Sequence, residues 1–285
     1  MYTIIGFVIV FGSVLAGFVL HGGNVLVLAQ VTEFIIIGGA GVGAVVIGNK
    51  PTVVKRMVAE IIALFKPNPY NRKTYTELLQ VLYEVFYTAR REGLVGIESH
   101  VEDPESSAIF RKYPAFYSNR HAMYFLADTM KVLLTGAVED HHLAEILDLD
   151  LDRFHEEAMV VPNALNRVAD AMPGFGIVAA VLGVIITMGH IGGTAAEIGQ
   201  SIAAALVGTF LGVLLAYGVL GPLAQALEAR VRSEQAYLAC VRTALLSFSR
   251  GDPPITSVEF ARRNIEPEDR PSFVEIERLT RRRAA

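Results

Sequence analysis

No Lys or Arg precedes Lys50, and the chain of 285 residues holds no Trp and one cysteine, Cys240. A single thiol excludes an intrachain disulfide and a cysteine-based zinc site. Charged residues make up 19% of the chain, below the roughly 25% of ordinary soluble proteins. The formal net charge of −4 is too small to point to nucleic acid as a partner. No strand-like alternation, internal repeat, phosphate loop or nucleophile elbow is present. His141 and His142 are adjacent, so a helix is expected to aim them in different directions, and no nearby Cys completes a ligand set. The acidic run Asp148, Asp150, Asp152, Glu156 and Glu157 lacks the glycine and spacing of a calcium loop and reads as a solvated helix face. Neither an enzyme nor a cofactor or metal site is expected.

What the chain has is apolar length. Hydrophobic residues reach 52% and mean hydropathy is +0.42, gathered in four nearly uncharged windows. Tyr2 to Leu20 matches a bilayer core of about 30 Å at 1.5 Å per residue. It has no basic n-region and is too long for a signal h-region, so it reads as a retained helix. Phe34 to Asn49 is the second window, bounded by Glu33 and Lys50 and rich in glycine, which membrane helices use for close packing. Pro173 to Ala196 and Ile198 to Leu227 leave room for two more spans joined by a tight turn near Gly189 to Gly199. Four such windows together select membrane spans over a soluble apolar hairpin. The 21–33 and 189–200 loops contain no Lys or Arg, so the positive-inside rule puts 51–172 and the C-terminal tail in the cytoplasm. The expected fold is all-α and polytopic, with four transmembrane helices and a mainly helical cytoplasmic domain. Its segments are 1–50 (spans one and two), 51–172 (cytoplasmic), 173–221 (spans three and four) and 222–285 (cytoplasmic tail).

The polar part reads as helices. Asn71 to Arg91 places Leu78, Leu82, Val85, Phe86 and Ala89 on one face, with Thr74 and Glu77 as a capping box and Gly93 as the stop. His121 to Leu134 and His142 to Arg167 follow, and Leu223 to Phe248 continues the fourth span. The end, with Arg281, Arg282 and Arg283, is expected to be loose. Positions 50–91 hold eight Lys/Arg against three Asp/Glu, and 92–157 hold fourteen Asp/Glu against five Lys/Arg. This asymmetry lets the two regions pack together or presents a charged face to another protein. Arg90 and Arg91 also suit the C-terminal end of a helix dipole.

The spans lack an acid of their own. Glu33 and Glu197 are expected at the outer ends, and the last two spans offer the hydroxyls Thr187, Ser201 and Thr209 instead. Counted from Pro173 and Pro222, Thr187 and Thr209 are expected at similar depth, about 20 Å in. Hydroxyls orient water or a carboxyl group but store no proton near neutral pH. The chain therefore either carries no ion or borrows a titrating group from a partner helix. Gly176, Ala180, Gly183 and Thr187 form one small-residue stripe, and Gly208, Gly212 and Ala216 another. Such stripes serve packing within the chain or between copies.

Two motifs, Pro173-Gly-Phe-Gly-Ile-Val-Ala-Ala-Val-Leu-Gly183 and Val207-Gly-Thr-Phe-Leu-Gly-Val-Leu-Leu-Ala-Tyr-Gly218, the latter followed by Gly221-Pro222-Leu, resemble the MotA type of the MotA/TolQ/ExbB proton channel family. The likeness extends to Gly38-Gly-Ala-Gly-Val-Gly43, the Arg90 to Glu98 stretch, Ser257-Val-Glu-Phe and Arg270-Pro-Ser-Phe-Val-Glu275. The resemblance implies a flagellar stator subunit of the bacterial inner membrane, with both termini cytoplasmic. It implies a homopentamer around a dimer of MotB, a single-span, peptidoglycan-binding protein with a membrane aspartate. It implies that Pro173 and Pro222 shape the inner ends of the pore-lining helices and that Thr187 and Thr209 belong to the ion path, which Thr209 faces. Alanine at Ala180, where sodium-driven relatives carry Thr, implies protons. Arg90 and Glu98 match charges that engage FliG, the rotor's switch protein. Membrane lipid completes the partners, and nucleic acid is not among them. The other readings are an ExbB- or TolQ-like energiser, whose three spans and loop arrangement differ, and a membrane scaffold or passive channel.

Overall fold

The computed structural model describes residues 2–136, 139–189, 192 and 194–284, and side chains within these apart from residues 2 and 281–284. In chain order the helices are α1 (Tyr2–Leu20), α2 (Val25–Leu28), α3 (Val31–Gly48), α4 (Pro51–Ala63), α5 (Arg72–Glu92), α6 (Val95–Glu102), α7 (Pro114–Ser118) and α8 (Arg120–Leu134). They continue as α9 (Asp140–Ala158), α10 (Val160–Met188), α11 (Ala195–Leu215), α12 (Gly221–Ser249), α13 (Pro254–Arg263) and α14 (Phe273–Ala284). No strand occurs among the described residues. Four stretches are long and apolar enough to cross a membrane, their best windows lying in α1, in α2 with α3, in the helix run ending at Met188 and in the run beginning at Ala195.

The chain divides into two compact units, residues 1–67 with 158–229 and residues 68–157 with 230–285. In the first, α10 and α11 form an antiparallel pair whose small residues face each other. A β-carbon added at Gly176 would lie 2.8 Å from the Gly208 carbonyl and 3.0 Å from the Gly212 Cα. One added at Gly183 would lie 2.7 Å from the Ala205 Cβ. The stripes therefore pack within the chain, because bare backbone lets helices approach where lipid gives no hydrophobic push. Helix α3 packs on this pair through Ile37 against Val168, Met172, Ala179, Val207 and Leu211. A second cluster joins Met57 and Leu64 to Val161, Leu165, Leu223 and Leu227.

The second unit has a core of the soluble kind. Helix α5 contributes Leu78, Leu82, Val85, Phe86 and Ala89 as expected, and Phe86 stacks on Phe248 with centroids 4.4 Å apart. Tyr113, Tyr237, Phe110 and Phe116 are fully buried.

Several expectations are corrected. Helix α5 is capped by Asn71, whose side chain accepts from the Lys73 and Thr74 amides. Thr74 instead donates to the Pro69 carbonyl and Glu77 accepts from the Ala115 amide, so the pair is no capping box. Gly93 does end the helix, with φ of 78°. The helix expected over His142 to Arg167 breaks at Met159. The second span starts at Val31, three residues before the uncharged window, so Glu33 falls in its first turn. The turn at His190 lies outside the described residues.

Candidate functional site

Backbone defects mark both helices of the membrane hairpin. Pro173 sits inside α10, where its ring removes one helical hydrogen bond and frees the carbonyl of Ala169. In the other arm the backbone widens into a π-turn over Ala216–Leu220, and Pro222 follows at once. Such turns leave carbonyls without their usual partner and gather at working sites. Neither proline ends its helix: α10 begins at Val160, and α12 runs on to Ser249, the continuation expected over Leu223 to Phe248. Nor do they share a level. A β-carbon at Gly212 would touch the carbonyl of Met172, so Pro173 stands beside Gly212 and Pro222 lies ten residues further, about 15 Å.

That offset separates the two threonines. Gly183 meets Ala205; Thr187 lies four residues beyond Gly183 toward the hairpin tip, and Thr209 four beyond Ala205 away from it. About 12 Å along the helices separates them, so the equal depth expected from counting is wrong. Their chemistry differs too. Thr187 donates to the Gly183 carbonyl at 2.8 Å and Ser201 to the Glu197 carbonyl at 3.0 Å. The hydroxyl of half-buried Thr209 makes no hydrogen bond among the described residues. Of the three hydroxyls, Thr209 alone keeps its proton free to donate to a water or a partner carboxyl. Ala180, half-buried on the same seam, adds no polar side chain.

The acids divide as well. Glu197 does cap α11 at the hairpin tip: its carboxylate accepts from the Thr194 amide at 2.8 Å, and its own amide donates to the Thr194 hydroxyl at 3.3 Å. Glu33 stands in the first turn of α3, at the end of its span as expected, but not level with the hairpin tip. It is 5% exposed and presses on Gly208, where a β-carbon would lie 2.5 Å from its Oε2. Gly208 is thirteen residues into α11, about 20 Å from its start. Counting missed this because α3 begins level with the body of the hairpin, not with its tip. The signal lay in the one acid within a turn of the second apolar window.

Arg90 and Glu98 belong to the second unit and the five membrane residues to the first. Arg90 donates to the carbonyls of Gly251 at 2.9 Å and Asp252 at 3.1 Å, holding the α12–α13 turn onto the end of α5. Glu98 is exposed in the first turn of α6. Of the segregated charges some pair within the unit, Lys112 with Glu84 and Arg242 with Asp148, while Asp150 and Asp152 stay exposed. The His141 and His142 rings, expected to diverge, lie with centroids 4.0 Å apart, and Glu139 Oε2 is 3.4 Å from His141 Nδ1. They stand in the first turn of α9, where the helix dipole disfavours a cation.

The description "Motility protein A N-terminal" matches residues 4–93, and "MotA/TolQ/ExbB proton channel family" matches residues 118–239. Motility protein A of Salmonella typhimurium is 37% identical over 281 residues, 99% of this chain and 95% of that one. Motility protein A of Escherichia coli is 36% identical over the same span. Chemotaxis protein LafT of Vibrio parahaemolyticus is 34% identical over 98% of both chains. Among solved structures, Campylobacter jejuni MotAB ("C. jejuni MotAB") matches with a TM-score of 0.77 over 95% of this chain and 98% of that one, at 21% identity. The flagellar MotAB stator complex of Bacillus subtilis matches at 0.70 over 90% and 92%, with 23% identity. The four spans, the tight small-residue hairpin and these matches along nearly the whole chain agree: it is a membrane protein of the motility protein A family.

Proposed function

We propose that this chain is a stator subunit of the bacterial flagellar motor, which forms with a MotB-like partner a proton-conducting, peptidoglycan-anchored complex that turns ion flow into torque. One observation carries the reading. The α10–α11 hairpin offers the hydroxyl of Thr209, which makes no hydrogen bond among the described residues, near the level of the Pro173 defect, and neither helix holds an acid between Asp170 and Glu197 or from there to Leu215. Such a wall orients a titrating group without being one, so the working carboxyl arrives on a neighbouring helix. The exposed apolar face of α10, with Ile177, Val181, Val184 and Ile185, suits packing in a ring of like subunits around that partner.

The chain sits in the inner membrane with both termini in the cytoplasm. A proton enters from outside, neutralises the partner's aspartate and leaves inward, releasing about 2.3 kcal/mol per 100 mV. Re-ionising the aspartate changes which subunit it prefers, and the ring steps. The second unit passes the step to the rotor protein FliG through exposed charges such as Glu98, with Arg90 both on that face and bracing it. Ala180 supports protons over sodium, since it supplies no hydroxyl ligand.

Motility of a strain lacking this chain tests the reading. Swimming should be lost, return with the gene, ignore sodium and stop with a protonophore. Unimpaired swimming in the deletion strain contradicts it. Pro173→Ala or Pro222→Ala should abolish torque while leaving the protein in the membrane.

A further inference from the structure

We propose that Glu33 is a proton-binding site carried by this chain itself, a second carboxyl of the ion pathway seated behind Gly208; the inference rests on the stator reading above. Glu33 is 5% exposed, and its Oε2 is the one buried carboxyl oxygen without a hydrogen-bond partner among the described residues. Its seat is made to measure. A β-carbon at Gly208 would lie 2.5 Å from Oε2, 3.0 Å from the Ala179 Cβ and 3.1 Å from the Ala180 amide nitrogen. A side chain at 208 would crowd Ala179 and the Ala180 backbone as well as the carboxyl, so glycine there leaves Glu33 its place against the hairpin.

Among the described residues nothing there balances a charge. Helix α10 brings no acidic, basic or histidine side chain between Asp170 and Met188, α11 none after Glu197, and α2 none. Glu197 is occupied in its cap, and His21, in the turn after α1, is bound to the Gly17 carbonyl. An ionisable group kept inside a membrane bundle without a counter-charge is costly and marks a proton or ion pathway. The place fits that role, because Gly208 directly precedes Thr209, the free hydroxyl of the seam. In the step, an O–H bond of an entering hydronium breaks, the proton bonds to a Glu33 carboxylate oxygen and water remains; release reverses this.

The test uses the purified complex of this chain with its MotB-like partner, the partner's membrane aspartate replaced by Asn. An infrared difference spectrum between acid and alkaline buffer should show the carbonyl stretch of a buried carboxylic acid. The band should vanish in Glu33→Gln and move in Glu33→Asp. In cells with the intact partner, Glu33→Gln should swim with speed less dependent on external pH, and Glu33→Asp should restore that dependence in part. If Glu33→Gln fails to assemble, the band shift in Glu33→Asp decides. A band unchanged in these variants, or a pH profile identical to the parent, overturns the inference and leaves Glu33 a packing group. Failure of the stator reading would show separately, as a deletion strain that still swims.

Discussion

The seam of the membrane hairpin and the core of the second unit are packed on opposite principles. At the α10–α11 seam of the membrane unit small residues are buried, and many large apolar side chains of that unit point outward: Gly176, Ala179, Ala205, Gly208 and Gly212 line the seam, while Ile4, Val8, Ile9 and Ile185 are exposed. In the other unit Tyr113, Tyr237, Phe86, Phe110 and Phe116 are fully buried, and among its described charged side chains Arg262 alone is buried as well. The difference follows from the solvent. Water drives large apolar surface inward, whereas lipid is as apolar as leucine and leaves only close packing and hydrogen bonds to hold helices together. Size at an interior position should thus act in opposite directions in the two units.

The sharpest way to break that comparison is to add bulk to the seam. A β-carbon at Gly212 would stand 2.7 Å from the Met172 carbonyl and 2.8 Å from the Gly176 Cα, both backbone atoms that do not swing aside. Gly212→Val should abolish swimming on soft agar and reduce the protein recovered in membranes. Removing bulk from the soluble core comes next. Phe86→Ala deletes a fully buried ring stacked on Phe248 and should cost about 3–5 kcal/mol, read by pulse proteolysis of the purified complex. Arg90→Glu removes two hydrogen bonds to the 251–252 turn and sets a carboxylate against two carbonyls. It should destabilise by about 1–3 kcal/mol and weaken rotor coupling more than ion flow, measured as torque against proton leak.

A smaller, pH-dependent effect is expected at Glu259. Hydrogen bonds from Arg262, and then from Arg263, hold its carboxyl below the ordinary value. A group lowered on folding stabilises above its unfolded value, and the benefit fades as pH falls through the folded one. Glu259→Gln should therefore lower the thermal midpoint at neutral pH, with the gap to the parent closing in acid. Smallest of all, Val8→Ala trims an outward side chain of α1 and should change stability by less than about 0.5 kcal/mol.

Periodicity and length were enough for much of this. Leu78, Leu82, Val85, Phe86 and Ala89 fall on the buried face that their spacing predicts, and Gly93 stops the helix. The uncharged run from Tyr2 is one helix to Leu20. What escaped was register between helices, which depends on where each begins relative to its neighbour. Thr187 and Thr209 look level when counted from two prolines, but those prolines are about ten residues out of step across the seam. Glu33 looks terminal when read as the boundary of an apolar window, yet α3 starts beside the body of the hairpin. Local hydrogen bonding also escaped: Asn71 displaces Thr74 as the cap, and Thr194 with Glu197 forms the capping box that was expected elsewhere.

The account stands or falls on where the torque-generating carboxyl resides. Proton conductance of liposomes holding this chain alone, compared with liposomes holding it with the MotB-like partner, tests this directly. The account predicts a tight membrane for the chain alone, conductance with the partner, and its loss when the partner's aspartate becomes Asn. Equal proton turnover by the chain without any partner would contradict it.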